Sequence, residues 1–242
     1  MLNTSLQKFI FSEVHFEIEV PQNDFLGEIL QQGRLWEEYF LKFFYNFIVE
    51  NEIKKNFRVL DIGANIGYHS IIINKVFPSF SVFAVEPHPK LIDILLRNRD
   101  RNNGNFSILP YAVGATAGLA NLSSPDGSDS GDFHFSEQGI EVNVMTIDAI
   151  AGKIGHPHLV KLDIQGLELD ALKGAAEIIS KNNTMFFVEF CPMMLSERGC
   201  GEIEILRTIE EAGYFLNIFR AHPVSCFERI SSKIMEDIYD YY

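Results

Sequence analysis

The apolar positions of this 242-residue chain recur with two periods, and the switches between them mark out its elements. Residues 14–20 read Val-His-Phe-Glu-Ile-Glu-Val, an alternation that predicts a half-exposed strand closed by Pro21. Asp24 is placed to cap a helix starting at Phe25, although Gly33 interrupts the pattern. Between 35 and 49, Leu35, Trp36, Tyr39, Phe40, Phe43, Phe44, Phe47 and Ile48 fall at helical spacing, as in a helix laid on a sheet. From residue 57 onward, short apolar runs alternate with helical ones. Strands are predicted at 57–60, 81–85, 106–113, 158–162, 185–188 and 214–219, with a seventh at 226–230. Helices at 68–76, 91–101, 167–180 and 202–212 fall between them. Two more short strands, 119–122 and 140–144, flank a turn-rich loop within 123–139, either a binding loop or a plain loop tip.

This rhythm predicts an α/β fold: a doubly wound, mainly parallel, seven-stranded sheet with helices on both faces. Residues 1–50 read as an extension of strand and helix packed on one globular unit, 51–242, with no repeat or linker between. In such sheets ligands sit beyond the carboxyl ends of the strands, where the strand order reverses. Five successive strands end there in polar or glycine-bearing turns: at Asp61, Glu86, residues 112–114, Asp163 and Glu189.

Composition narrows the partners. A net charge of −13 repels phosphate backbones, which argues against nucleic acid. The one basic cluster, Arg97, Arg99 and Arg101, is interrupted by Asp100 and reads as a solvated helix end. Three cysteines, Cys191, Cys200 and Cys226, have no metal-binding spacing and suit buried thiols in a reducing cytoplasm. No apolar run reaches the length of a membrane span, so the expectation is a cytoplasmic protein.

The chemistry begins at residues 57–69, Phe-Arg-Val-Leu-Asp-Ile-Gly-Ala-Asn-Ile-Gly-Tyr-His. Strand, glycine turn and helix in that order make a nucleotide-type cradle, with the positive end of the helix aimed at the ligand. Gly63 would let the backbone pass close to that ligand. The spacing is not the G-x-G-x-x-G of dinucleotide enzymes. Glu86, ending the next strand, is placed to accept both hydroxyls of a ribose. Further on, Lys161-Leu162-Asp163-Ile164-Gln165-Gly166-Leu167-Glu168 puts Asp163 at a strand end and Glu168 in the first helical turn, both able to face one cleft. A first-turn carboxylate also simply favours the helix dipole.

Asp-Ile-Gly-Ala-Asn-Ile-Gly-Tyr-His, Val-Glu-Pro-His-Pro, Ala-Val-Gly, Lys-Leu-Asp-Ile-Gln-Gly-Leu-Glu, Leu-Lys-Gly-Ala and Val-Glu-Phe together resemble the FkbM family of S-adenosylmethionine-dependent methyltransferases. The likeness spans about residues 33–190, with Gly33 and the Trp36-Glu37 pair ahead of the first strand. Ile-Gln-Gly stands where the family usually has Val-Glu-Gly or Val-Gln-Gly. The resemblance implies a class I methyltransferase fold, S-adenosylmethionine as cofactor and O-methylation of a small-molecule or carbohydrate acceptor. It places cofactor contacts at Glu37, Asp61, Gly63, Ala64, Asn65, Gly67, Glu86, Pro87, Ala112, Val113 and Asp163. For the base that takes the acceptor proton the candidates are Asp163, Glu189 and His69, with Glu168 and His134 as cleft residues. His88 is a further candidate, and no metal is required. An N-methyltransferase is disfavoured by the absence of an Asn/Asp-Pro-Pro-aromatic turn at Asp163, and an NAD oxidoreductase by the glycine spacing. A silent S-adenosylmethionine-binding module stays open.

Overall fold

The computed structural model describes residues 4–22, 25–123, 134–136, 139–189, 202–220 and 226–230. The Asp24 cap, most of the 123–139 loop, Cys191, Cys200 and the final residues lie outside them.

The N-terminal extension opens with a hairpin, β1 (Thr4–Phe11) and β2 (Val14–Pro21), paired antiparallel from Thr4↔Pro21 to Phe11↔Val14. Its two-residue turn puts Ser12 and Glu13 at φ of 48° and 66°, the left-handed pair a tight hairpin requires. Helices α1 (Phe25–Gln31) and α2 (Glu38–Glu50) follow. On α2 the buried side chains are Phe40, Leu41, Phe44 and Ile48, the stripe that the helical spacing predicts.

The sheet proper has five parallel strands in the order β11-β10-β3-β4-β5. These are β3 (Arg58–Ile62), β4 (Ser81–Val85), β5 (Ser107–Leu109), β10 (Leu159–Leu162) and β11 (Met185–Val188). Helix α3 (Tyr68–Val76) joins β3 to β4, and α4 (Pro89–Arg101) joins β4 to β5. Val59, Val82, Ala84 and Leu159 face a core shared with the hairpin and α2 to α4. Leu60, Ile62, Val85, Val160 and Leu162 face the opposite core. Both faces are apolar because both are covered, which is why these strands read as near-continuous hydrophobic runs. The order reverses between β3 and β10, so the crevice for a ligand opens above their carboxyl ends.

Several expectations are corrected. Among the described residues the sheet holds five strands where seven were expected: β12 (Leu216–Arg220) and β13 (Cys226–Ile230) pair with each other as an antiparallel hairpin. Tyr214 and Leu216 nevertheless pack against the second core. The single strand expected at 106–113 is two, because Pro110 has no N–H for a ladder. Beyond it β6 (Ala112–Val113) leaves the sheet to pair with β9 (Ile140–Met145), in a small sheet ordered β6-β9-β7-β8 with β7 (Gly118–Ser123) and β8 (His134–Ser136). An unforeseen helix, α5 (Ile147–Ile154), starts where the Thr146 hydroxyl accepts the Ala149 N–H at 3.1 Å.

The helix expected over 167–180 is broken into α6 (Glu168–Lys173) and α7 (Ala176–Ser180). A Cβ at Gly174, between them, would stand 2.3 Å from the Gly114 carbonyl oxygen, so the chain needs glycine there. Helix α8 (Glu202–Glu211) precedes the last hairpin. Among the described residues no helix is long and apolar enough to cross a membrane.

Candidate functional site

Two groups of side chains meet above β3 and β10. The first is built on the glycine turn. Gly63 and Gly67 lie at φ of 80° and 86°, and Asn65 at 51°. The Val85 carbonyl accepts the N–H groups of both Gly63 and Ala64 at 3.0 Å, which folds the turn back over β4. A Cβ on Gly63 would stand 1.8 Å from the Asp163 carbonyl oxygen. The expectation that this glycine clears space for a ligand is therefore amended: the neighbouring strand end demands it first.

Glu86, 5 % exposed, accepts from the Asn65 N–H through Oε2 and the His88 N–H through Oε1, each at 2.9 Å. One carboxylate thus ties the glycine turn to the start of α4, with Pro87 between Glu86 and its donor His88. Each oxygen retains a lone pair for a further donor. Burial pushes the Glu86 carboxyl up to about 7, against the pull of those two N–H groups. Asp61, buried at the end of β3, accepts the Ser70 hydroxyl at 2.6 Å through Oδ2, while its Oδ1 is buried with no hydrogen-bond partner among the described residues. Burial raises its carboxyl, and Lys161 opposes that rise. His88 caps α4, accepting the Lys90 N–H at 3.2 Å. Ala112 and Val113 form β6 and are buried.

The second group centres on Lys161, which the sequence reading passed over. It sits in the middle of β10, opposite Asp61 in register, and is 1 % exposed. Its Nζ lies 3.0 Å from Asp163 Oδ2 and 3.2 Å from Glu37 Oε2. Burial alone would release its proton, but Asp163, Glu37 and Asp61 together hold the ammonium above its ordinary range. The Tyr39 hydroxyl donates to Glu37 Oε1 at 2.8 Å, and His69 Nε2 lies 3.4 Å from Glu37 Oε2. Burial first, and Lys161 second, push His69 well below its ordinary value, so it stands neutral. Its ring meets Phe40 and Tyr68 edge-on, in the core.

Asp163 and Glu189 are hydrogen-bonded to each other. Burial would raise both, but the Lys161 charge holds Asp163 low, while burial and the Asp163 charge push Glu189 up. The two carboxyls share one proton and one negative charge. Glu168 closes the turn after β10, its Oε1 accepting the Ile164 N–H at 2.8 Å. His134 falls in β8, and its side chain lies outside the described set.

Glu189, Glu37 and Tyr39 also line a cleft of about 1090 Å³ between the hairpin and the sheet. Trp36, Arg34, Lys8 and His15 line its outer part. Lys8 is paired with Glu17 at 2.9 Å, whereas Arg34 has no carboxylate partner among the described residues. The structure thus gathers Glu37, Asp61, His69, Asp163 and Glu189 around one ammonium, and sets Gly63, Ala64, Asn65, Gly67, Glu86 and Pro87 beside them. A lone lysine inside the apolar run His158-Leu159-Val160-Lys161-Leu162 was the signal available for the missing centre.

The sequence profile of the family described as "Methyltransferase FkbM domain" matches residues 61–216. A curated relative, hexuronic acid methyltransferase AglP of Haloferax volcanii, is 30 % identical over 126 residues, 51 % of this chain and 52 % of that protein. The chain therefore aligns with about half the length of that relative. Among solved structures, a precorrin-6y C5,15-methyltransferase from Geobacter metallireducens matches with a TM-score of 0.40 and 12 % identity, covering 74 % of this chain and 77 % of that one. A methyltransferase from Pyrococcus furiosus matches with a TM-score of 0.36 and 13 % identity, covering 77 % and 80 %.

Proposed function

The chain belongs to the FkbM methyltransferase family, a family of S-adenosylmethionine-dependent enzymes, and on that premise we propose that it methylates a hydroxyl oxygen of a sugar held in the cleft beside Glu189. The residues present fit the cofactor. Glu86 offers two unspent lone pairs to the ribose hydroxyls, and the partnerless Asp61 Oδ1 offers an acceptor to a cationic amine. S-adenosylmethionine supplies an electrophilic methyl group on a sulfonium. The chain's own task is to orient the acceptor oxygen at roughly 3 Å and to take its proton. In this reading the Asp163–Glu189 pair would take that proton, passing from one negative charge to none, while the bound cofactor would supply the methyl group. His69, neutral and packed among aromatic rings, is given no part in the proton transfer.

The observation that carries this reading is the hydrogen-bonded Asp163–Glu189 carboxyl pair, held by the Lys161 ammonium, with Glu189 opening onto the cleft. The relative's named substrate, a hexuronic acid, makes a sugar the first acceptor to try. Arg34 and His15 at the outer end of the cleft suit an acceptor that carries a carboxylate of its own. The test is calorimetric titration with S-adenosylhomocysteine and with NAD, followed by labelled-methyl transfer to uronic acids, neutral hexoses and amines. Tight homocysteine-nucleoside binding with transfer to a sugar oxygen is the expected result. Transfer to amines alone would overturn the oxygen specificity, and binding without transfer to any acceptor would favour the silent module.

A further inference from the structure

We propose that Lys161 and Glu37 are positioning residues for the reaction: Lys161, fixed between Asp163 at 3.0 Å and Glu37 at 3.2 Å, assigns the pair's negative charge to Asp163 and its proton to Glu189, and Glu37 tempers that grip. This deepens the proposed function and rests on its reading of Asp163–Glu189 as the base.

The placement of Lys161 is hard to explain as stability alone. Burying an ammonium is costly even when it is paired, and a similar-sized apolar side chain in a strand centre is often as stable or more so. Leu159 and Phe187, beside it on the same face of the sheet, are apolar, while on its other side in register stands the buried Asp61, so the ammonium belongs to a polar cluster set into the core. Glu37 is also held at a cost. It stands at φ 44°, a left-handed conformation that non-glycine residues seldom adopt, and the Tyr39 hydroxyl bonds it there at 2.8 Å. Two unfavourable placements from distant parts of the chain meet in one ion pair, and the ammonium of that pair also holds the carboxylate bonded to Glu189. Their joint product is electrostatic. The groups that face the pair are Lys161 on β10, Glu37 ahead of α2, Tyr39 on α2, Asp61 after the core of β3 and His69 on α3, with Glu86 and Glu168 farther out. Tyr39 keeps its proton and His69 is neutral, so among these groups Lys161 supplies the positive charge. Glu37 is the anion that shares Lys161 without sharing the proton.

The signs for the two residues are opposite. Without Lys161 the anionic pair loses its counter-ion and its titration steps move to higher pH. Without the Glu37 charge, one competing anion leaves Lys161, its hold on Asp163 strengthens and the steps move to lower pH. The experiment is a side-chain carboxyl ¹³C NMR titration of the full chain with S-adenosylhomocysteine bound, in the parent, Lys161→Met, Lys161→Arg and Glu37→Gln proteins, with Glu189 assigned through Glu189→Gln. Lys161→Met should raise both steps by about 1–3 units, Glu37→Gln should lower them, and Lys161→Arg should restore most of the parent behaviour. Should Lys161→Met not fold, the downward shift in Glu37→Gln carries the test. Melting temperatures that fall while the steps stay fixed would overturn the proposal and leave a plain structural ion pair. Once an acceptor is in hand, the acid limb of the rate profile must follow the same signs. Steps that move while the limb does not would support the charge coupling and sink the assignment of the pair as base.

Discussion

The two halves of the site are built in different ways. On the cofactor side one carboxylate, Glu86, is held by two backbone N–H groups within a span of about 25 residues. On the acceptor side Glu37, Lys161, Asp163 and Glu189 come from three separate stretches and hold one another by charge. A backbone-held carboxylate depends on local chain path and presents the same face whatever the rest of the site does. A charge-held cluster depends on packing across the whole sheet, and each member sets the protonation of the next. The first suits an invariant ligand such as a nucleoside, and the second suits a proton that has to move.

The largest separation of the halves is expected from Glu189→Gln. General-base removal costs about 10²- to 10⁴-fold in rate. The amide keeps the shape and can still bond Asp163, so S-adenosylhomocysteine affinity should stay within about twofold. Single-turnover transfer beside a calorimetric titration checks both numbers. An equal loss of cofactor binding would mean that the halves are one unit. Next in size is Gly63→Ala, placed where the halves touch. The added Cβ would overlap the Asp163 carbonyl at 1.8 Å, and φ is already 80°. A loss of about 3 kcal/mol in stability, or about 6–12 °C in melting temperature, is expected from thermal unfolding, together with weakened cofactor binding and slower transfer.

The same contrast decides what could be read from the sequence. The glycine turn, Glu86 and the carboxyl-terminal positions of Asp61, Asp163 and Glu189 follow from strand-turn-helix spacing, which is local. The five central strands were legible for the same reason: covered on both faces, they are short unbroken apolar runs. The β1–β2 hairpin was only half visible, because Ser12-Glu13 lacks the Asn or Gly that normally marks such a turn. Its free edge is held by a device no pattern shows. Asn98 near the end of α4 and Asn102, which caps it, bond the backbone of Glu19 and Glu17 in both directions at 2.6–3.0 Å, as a neighbouring strand would. The break in the 167–180 helix was hidden because its cause is Gly114, some 60 residues earlier. Lys161 was missed because a charge inside a strand gives no sign of its partners until the strand is placed.

A smaller effect separates the halves by pH. The Glu86 carboxyl is pushed up to about 7 by burial, above the ordinary carboxylate value near 4.5. Between those values the folded chain holds a proton that the unfolded chain has released. Its contribution to stability therefore falls as pH rises through that window and stays lost above it. Ribose hydroxyls donate to the ionised form and favour loss of the proton. Affinity for S-adenosylhomocysteine should accordingly rise by about an order of magnitude from pH 6 to pH 8. Glu86→Gln should flatten that rise, whereas Glu37→Gln should leave it in place.

The smallest effect tests how the halves are joined. Tyr68, the first residue of α3 after the glycine turn, accepts the Trp36 N–H on its hydroxyl at 3.1 Å. That bond fastens the 33–39 segment, which walls the acceptor cleft, to the turn that holds the cofactor. Tyr68→Phe keeps the ring against Phe16 and His69 and removes only the bond. A stability loss of about 1 kcal/mol is expected, read as a melting shift of a few degrees. Cofactor affinity should not change, because Glu86 and the backbone of the turn are untouched. The acceptor KM should rise several-fold, since the Trp36 backbone loses its bond to the helix that follows the glycine turn. A change in cofactor affinity with an unaltered KM would reverse the assignment, making the segment a lid on the nucleoside and not a wall of the acceptor cleft.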